Sequence, residues 1–268
     1  MTKIKYQDLT NRNIGILTKS EQNILRKATV VIAGVGGVGG LVAERLVRIG
    51  IEKIKIADPQ TYDATNLNRQ FASSSKTIGK NKAKVVAKLL KEINPNINIE
   101  IYSEGITAKN IQQFVKRADI VVDGVDDKAF KEETLLCQAA RAQGLYVVTA
   151  YAMGFGTNVF IFSPKGMTFE EYFELPQNEE GFKKYTFPYK KICPTIPSSI
   201  SLDIIKKIVQ REINIPTLSI SCSFAASAII VEVLSLLLKK KKPIVVHDCV
   251  ILDFLKKELV IYKGAKSK

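Results

Sequence analysis

Most of the patterns that announce a function by themselves are missing from this chain. The four cysteines, Cys137, Cys193, Cys222 and Cys249, stand far apart with no C-x-x-C pair. That spacing argues against a disulfide framework and against a structural zinc centre, and leaves free thiols as the expectation. The single histidine, His247, falls in a stretch that reads as a tail strand, where a structural role outweighs acid–base work. The longest nearly apolar run, residues 225–238, contains Glu232 and two serines and ends in the lysines at 239–242. It is too short and too polar for a membrane span and reads as a buried core helix. Residues 1–11 are polar with no apolar stretch of the secretory kind, so no leader is predicted and cytoplasm is the expected compartment. Internal repeats and low-complexity segments are absent as well.

What remains is the composition of an ordinary globular protein, 46% hydrophobic, 25% charged and 8% aromatic over 268 residues. That length suits one large α/β domain with insertions and is enough to bury a sizeable core. The formal charge of +14 is carried by lysines spread along the chain, with local runs at 183–184, 190–191, 239–242 and 263–268. A solvated lysine surface is the first reading of that charge, and a polyanion partner the second.

Apolar periodicity alternates between strand and helix through the first half, the signature of βαβ units feeding a mainly parallel sheet. Strands are expected at 29–33, 53–57, 97–102, 120–122, 146–150 and 157–162, with helices at 38–49, 79–94, 108–117 and 128–143. Residues 58–77 read as irregular. Periodicity disappears from 163 to 197, a stretch with five prolines that reads as a long crossover loop or lid. Helices resume at 199–211 and 219–238, and the tail has strand candidates at 244–247, 250–254 and 258–262. The expected architecture is Rossmann-like α/β: a mainly parallel sheet flanked by helices, with antiparallel strands at the C-terminal end. Its parts are a nucleotide-binding region at about 28–162, the crossover loop at about 163–197 and C-terminal helices and strands from 198 to 268, all in one domain.

The strongest local signal is Gly34-Val35-Gly36-Gly37-Val38-Gly39, which follows the first strand, opens a helix and has Asp58 at the end of the second strand. Backbone can approach a phosphate at a helix N-terminus only where side chains are absent, and a carboxylate at that distance can accept from ribose hydroxyls. The fingerprint marks a nucleotide site without separating NAD, FAD and ATP. Thr65-Asn66-Leu67-Asn68-Arg69-Gln70-Phe71 then places amides and a guanidinium on the loop after Asp58, and the planar fork of arginine suits phosphate. On the following helix, Lys80, Lys84, Lys88 and Lys91 form one stripe, whereas Lys82 falls on the apolar face with Val86, Leu89 and Ile93. A lysine on the core face at the mouth of the sheet is aimed at an anion. Asp123-Gly124-Val125-Asp126-Asp127 closes the fourth strand, where α/β sheets bind ligands. Asp127 doubles as a helix cap, and Asp126 is the better ligand for magnesium, which takes one or two carboxylates besides phosphate oxygens.

In this order, with Arg12 ahead of them and Gly79-Lys80-Asn81-Lys82-Ala83 and Asn94-Pro95 between, these motifs resemble the ThiF/MoeB/HesA superfamily, which includes ubiquitin-activating enzymes. The resemblance covers roughly residues 10–160. It implies ATP- and magnesium-dependent adenylation of a carboxylate, usually the C-terminus of a ubiquitin-like or sulfur-carrier protein, or a peptide, by a homodimer. Carried over motif by motif, it assigns Gly34, Gly36, Gly37 and Gly39 to the phosphates, Asp58 to the ribose, Asn66, Arg69 and Asp127 to the nucleotide, Lys82 to the phosphates and Asp126 to magnesium. Arg12 would be the arginine supplied by the neighbouring subunit. The catalytic set is then Arg12, Arg69, Lys82 and Asp126. Many relatives carry two C-x-x-C pairs for zinc, and this sequence carries none. Cys193 lies in the crossover loop beside Lys190 and Lys191, and is left out of the catalytic set because a cysteine before a proline in a loop is more often incidental. Two alternatives stay open: activation of a threonylcarbamoyl-adenosine carboxylate on tRNA, which the basic charge favours, and an NAD- or FAD-dependent oxidoreductase.

Overall fold

The structure is a computed structural model, and it describes residues 4–125, 129–176, 180–181, 185, 188–197 and 199–264. Strands β1 (Thr29–Ala33), β2 (Lys53–Ala57), β3 (Asn98–Tyr102), β4 (Ile120–Asp123), β5 (Val147–Met153), β6 (Gly156–Phe162), β7 (Cys249–Asp253) and β8 (Glu258–Tyr262) form one sheet in the order β3-β2-β1-β4-β5-β6-β7-β8. The first five in that order are parallel, and β6, β7 and β8 are antiparallel. The expected mixed sheet with an antiparallel C-terminal end is what forms.

Both faces of the parallel part are covered, so its strands are apolar at consecutive positions. Val30 and Ile32 of β1 face one core with helices α2 (Lys19–Lys27), α3 (Gly39–Ile49), α4 (Lys82–Ile93) and α10 (Ser219–Leu237). Val31 and Ala33 face the other, with α5 (Ile111–Val115), α6 (Phe130–Ala142), α7 (Phe169–Phe173), α8 (Tyr189–Ile192) and α9 (Leu202–Val209). Ahead of α2, the short helix α1 (Tyr6–Thr10) is tied to the end of α3 by the Tyr6 hydroxyl, which donates to the Gly50 carbonyl at 2.9 Å. Helix α10 is long and apolar enough to cross a membrane by length and composition, yet Ala225, Ala226, Ile229 and Val233 sit fully buried on the sheet. It serves here as the core helix its sequence suggested.

Three expectations are corrected. Residues 244–247 form no strand: Val246 makes one sheet-like bond, from its N–H to the Ile161 carbonyl at 3.1 Å, and the chain turns before β7 begins. Residues 163–197 are not a continuous loop but hold α7 and α8. Thr168 caps α7 reciprocally with Glu171, and Phe169, Tyr172 and Phe173 pack against Phe160 and Phe162 of β6, so burial of aromatic rings supplies what the short period could not. Helix α4 starts at Lys82 and not at Gly79, because Asn81 accepts the Lys84 N–H and caps it there.

Candidate nucleotide-binding site

Chain order runs outward from β1 to β3 and then jumps back to β4 on the other side of β1. This reversal opens a crevice at the C-terminal ends of β1 and β4, where α/β sheets hold ligands. Two backbone turns meet there. Gly34 has φ +79°, and a Cβ on it would come within 2.1 Å of the Gly124 carbonyl oxygen, so only glycine fits. The turns are pinned by the Gly34 N–H donating to the Ala57 carbonyl and the Gly124 N–H to the Ala33 carbonyl, both at 2.7 Å. A cleft of about 550 Å³ opens above them, a volume in the range of small-molecule sites.

Gly34, Gly36, Gly37, Asp58, Arg69 and Lys82 all line this cleft. Asp58 is buried and accepts the Val35 N–H at 2.9 Å on one carboxylate oxygen and the Gln60 N–H at 2.9 Å on the other. It therefore shapes the glycine turn at the edge of the cleft. Arg69 is half-buried; its Nη1 donates to the Thr65 carbonyl at 3.0 Å and to Asn68 Oδ1 at 2.8 Å, which fixes the fork along the cleft wall. Lys82 is 4% exposed, whereas Lys84, Lys88 and Lys91 of the same helix are exposed to solvent. The phase of the helix placed the lysine on the cleft side as the sequence indicated.

Other assigned residues sit elsewhere. Gly39 does not line the cleft; a Cβ there would lie 1.9 Å from the Gly34 carbonyl oxygen, so it lets α3 pack under the turn. Asn66 is buried outside the cleft lining, its amide donating to Asp63 Oδ1 at 3.0 Å to close the preceding turn. Arg12 lies on an exposed 3-10 turn, Asn11–Asn13, away from the cleft of its own chain. Asp126 and Asp127 lie outside the described residues. Cys193 is buried, its Sγ donating to the Thr195 carbonyl at 3.0 Å, and burial pushes its thiol above the usual range, which disfavours a nucleophile.

The cleft also holds residues to which the sequence reading assigned no role. Glu104, Gly105, Ile106 and Thr107 follow β3 and form the far wall, a position readable from the rule that ligands gather beyond strand C-termini. Asp123 is 1% exposed at the floor; its Oδ1 accepts the Val125 N–H at 3.0 Å, while Oδ2 has no hydrogen-bond partner among the described residues. Burial pushes its carboxyl up to about 7, against the pull of that N–H. Cys222, at the start of α10, faces Gly37, and burial raises its thiol to about 11, with Arg69 opposing. No cluster of three or more metal-binding side chains occurs among the described residues. A magnesium ion held mainly by phosphate oxygens needs no such cluster, and the orphaned Asp123 oxygen fits a cation at the cleft floor.

Known proteins resolve which kind of nucleotide fold this is. The family model described as "ThiF family" matches residues 10–267. The chain belongs to the ThiF family. Similar ThiF-type relatives are the tRNA threonylcarbamoyladenosine dehydratase of Haemophilus influenzae, 34% identical over 131 residues, covering 48% of this chain and 49% of the relative. The sulfur carrier protein ThiS adenylyltransferase of Escherichia coli is 30% identical over 143 residues, covering 53% of this chain and 56% of the relative. This chain therefore spans about half the length of the curated relatives it matches. Among solved structures, E. coli MccB with ATP superposes with a TM-score of 0.69 at 21% identity, over 92% of this chain and 67% of that one. E. coli MccB with MccA superposes with 0.71 at 21% identity, over 98% of this chain and 69% of that one. That likeness is one of fold.

Proposed function

We propose that this chain is an ATP-dependent adenylyltransferase that activates the carboxylate of a ubiquitin-like or sulfur-carrier protein, or of a peptide, as its acyl-adenylate. The observation that carries this reading is the convergence of the glycine turn, Arg69 and Lys82 on one cleft. A dinucleotide oxidoreductase has no task for those two cations, and a catalytically silent scaffold has no physical reason to keep them in one pocket.

In the proposed reaction a carboxylate oxygen of the acceptor attacks the α-phosphorus of ATP. The bond from that phosphorus to its bridging oxygen breaks, and pyrophosphate leaves. The nucleophile is already ionised at neutral pH, so no general base is needed; neutralising phosphate charge and aligning the two substrates are enough. The glycine turn presents backbone N–H groups at the start of α3. Arg69 and Lys82 offset the charge on the leaving group, and Asp58 accepts from the ribose. Asp126, with Asp123 close by in the chain, would hold magnesium, which would supply further positive charge to offset that of the phosphates.

A homodimer completes the site by delivering Arg12 from the second copy. Ile14 and Ile16, at 41% and 85% exposure beside Arg12, support an interface there, as do the exposed Leu218, Ile220 and Val231 at α10. Cytoplasm is the compartment we assign, supported by four buried free thiols. A second reading, activation of a carboxylate on tRNA, is favoured by the +14 charge and by the dehydratase relative. Pull-down of the acceptor followed by mass spectrometry tests the first reading: a covalently adenylated protein or peptide supports it. A salt-sensitive shift of tRNA, with no adenylated polypeptide, would replace it by the second.

A further inference from the structure

Lys84, Lys88 and Lys91 recur four and three residues apart on α4, and all three are exposed. Those spacings put them on one face of the helix, within about 60° of arc and in a row about 10 Å long. Lys76 and Lys80, exposed as well, lead into the row. Among the described residues none of the five makes an ion pair, and Glu92, the one acid on α4, pairs with none of them. Cations at the neighbouring helices are matched: Arg26 of α2 meets Glu52 at 2.8 Å, Lys240 meets Glu21 of α2 at 2.7 Å, and Arg48 of α3 meets Glu44. The row is a cost to its own helix. Like charges one turn apart repel, and the first turn holds Lys82 and Lys84 with no acid, where the macrodipole favours anions.

We propose that this face of α4 docks the phosphate backbone of a structured RNA. Over the length of the row one duplex strand presents about three phosphates, one for each lysine. The face has no apolar or aromatic anchor, because Val85, Leu89 and Ile93 fall on the other side of the helix and are partly buried. A protein partner needs such an anchor and disfavours lysine at the core of its interface, a membrane needs an apolar wedge, and an unpaired strand needs rings to stack on. The backbone of a stem needs only cations in a row. Helix α4 begins at Lys82 in the cleft, so the row starts within about one turn of the nucleotide site and leads away from it. An RNA lying along it has the cleft beside its backbone. The choice of RNA among polyanions rests on the second reading above, a carboxylate carried on tRNA, and gives that reading a surface outside the cleft.

The test is the electrophoretic shift of tRNA between about 50 and 200 mM salt. It is run on the native chain, on Lys84→Gln, Lys88→Gln and Lys91→Gln combined, and on the same three positions changed to Arg. A control carries Lys206→Gln, Lys207→Gln and Lys242→Gln, which removes equal charge from exposed positions elsewhere. The glutamine variant is expected to bind tRNA about tenfold or more weakly, with a slope of log affinity against log salt smaller by about two to three. The arginine variant and the control stay within about threefold of native. None of the three lysines lines the cleft, so calorimetric affinity for Mg-ATP stays within about twofold throughout. Equal loss in the control, or none in the glutamine variant, would overturn the docking surface and leave the tRNA reading standing. No shift by the native chain at the lowest salt would remove both. Duplex DNA of equal length that competes as well as tRNA would overturn the choice of RNA, and polyglutamate that does so would replace it by an acidic protein. Should the triple glutamine chain fail to fold by circular dichroism, the three single variants decide, each expected to weaken tRNA about twofold.

Discussion

Lys82 and Lys84 are two residues apart on one helix and have opposite environments, the first 4% exposed in the cleft and the second in solvent. Replacing Lys82 with alanine is expected to slow ATP–pyrophosphate exchange by about ten- to a hundredfold, the scale of one lost charge-assisted hydrogen bond. Lys84→Ala should stay within about twofold in the same assay. Asp123 gives a pH prediction. Its folded carboxyl titrates near 7, above the ordinary 3.8, so between those values the folded chain holds a proton that the unfolded chain has released. Stability from this group is complete below about pH 4 and falls as pH rises toward 7, by at most about 1.4 kcal/mol per pH unit. Thermal melts of the nucleotide-free chain should show Asp123→Asn losing less stability than the native chain between pH 5 and 7.5; parallel curves would contradict it. The placement of Lys82 was legible because a helix projects its residues at a fixed angle. Its hydrogen bond to Gln60 was not, because that partner is 22 positions away and no local pattern pairs them.

At the scale of elements, the glycine turn and α3 stand or fall together. Alanine at Gly39 would push a methyl group to within 1.9 Å of the Gly34 carbonyl oxygen, a clash between backbone atoms that no rotamer relieves. The expected cost is about 3 kcal/mol or more, read as a lowered urea midpoint, whereas Gly144→Ala, which meets nothing within 4 Å but keeps φ +72°, should cost about 1 kcal/mol. Strands of the parallel sheet were readable because both faces are buried and their apolar runs are continuous. Helix α7 was hidden for the converse reason: five residues give too few turns for a period, and its stability comes from Phe160 and Phe162 of β6, distant in sequence. Its cap was present in the sequence as Thr168 with Glu171, a reciprocal pair that alone marks a helix start. Residues 244–247 misled because an apolar run resembles a strand until its partner is known. Here it has a single bond to β6, and β7 takes the rest of that edge.

For the whole molecule, the proposed activity depends on a cleft at the point where the sheet reverses its order, and on the charges that reach it. The glycine run, Asp58, Arg69 and Lys82 could be placed there from sequence, since each is tied to a strand end or a helix phase. Arg12 could not be placed by fold alone, and its exposed turn makes sense in a dimer. Sedimentation of the native chain should give a dimer, and mixing Arg12→Ala with Lys82→Ala chains should restore part of the exchange activity that each lacks alone; monomeric, fully active protein would remove Arg12 from the site. The measurement that bears most directly on the central claim is calorimetric titration of the native chain and of an Arg69→Ala, Lys82→Ala double variant with Mg-ATP and with NAD. Binding of Mg-ATP but not NAD by the native chain, and its loss in the double variant, is the predicted result. Tighter binding of NAD, or Mg-ATP binding unchanged in the variant, would contradict it.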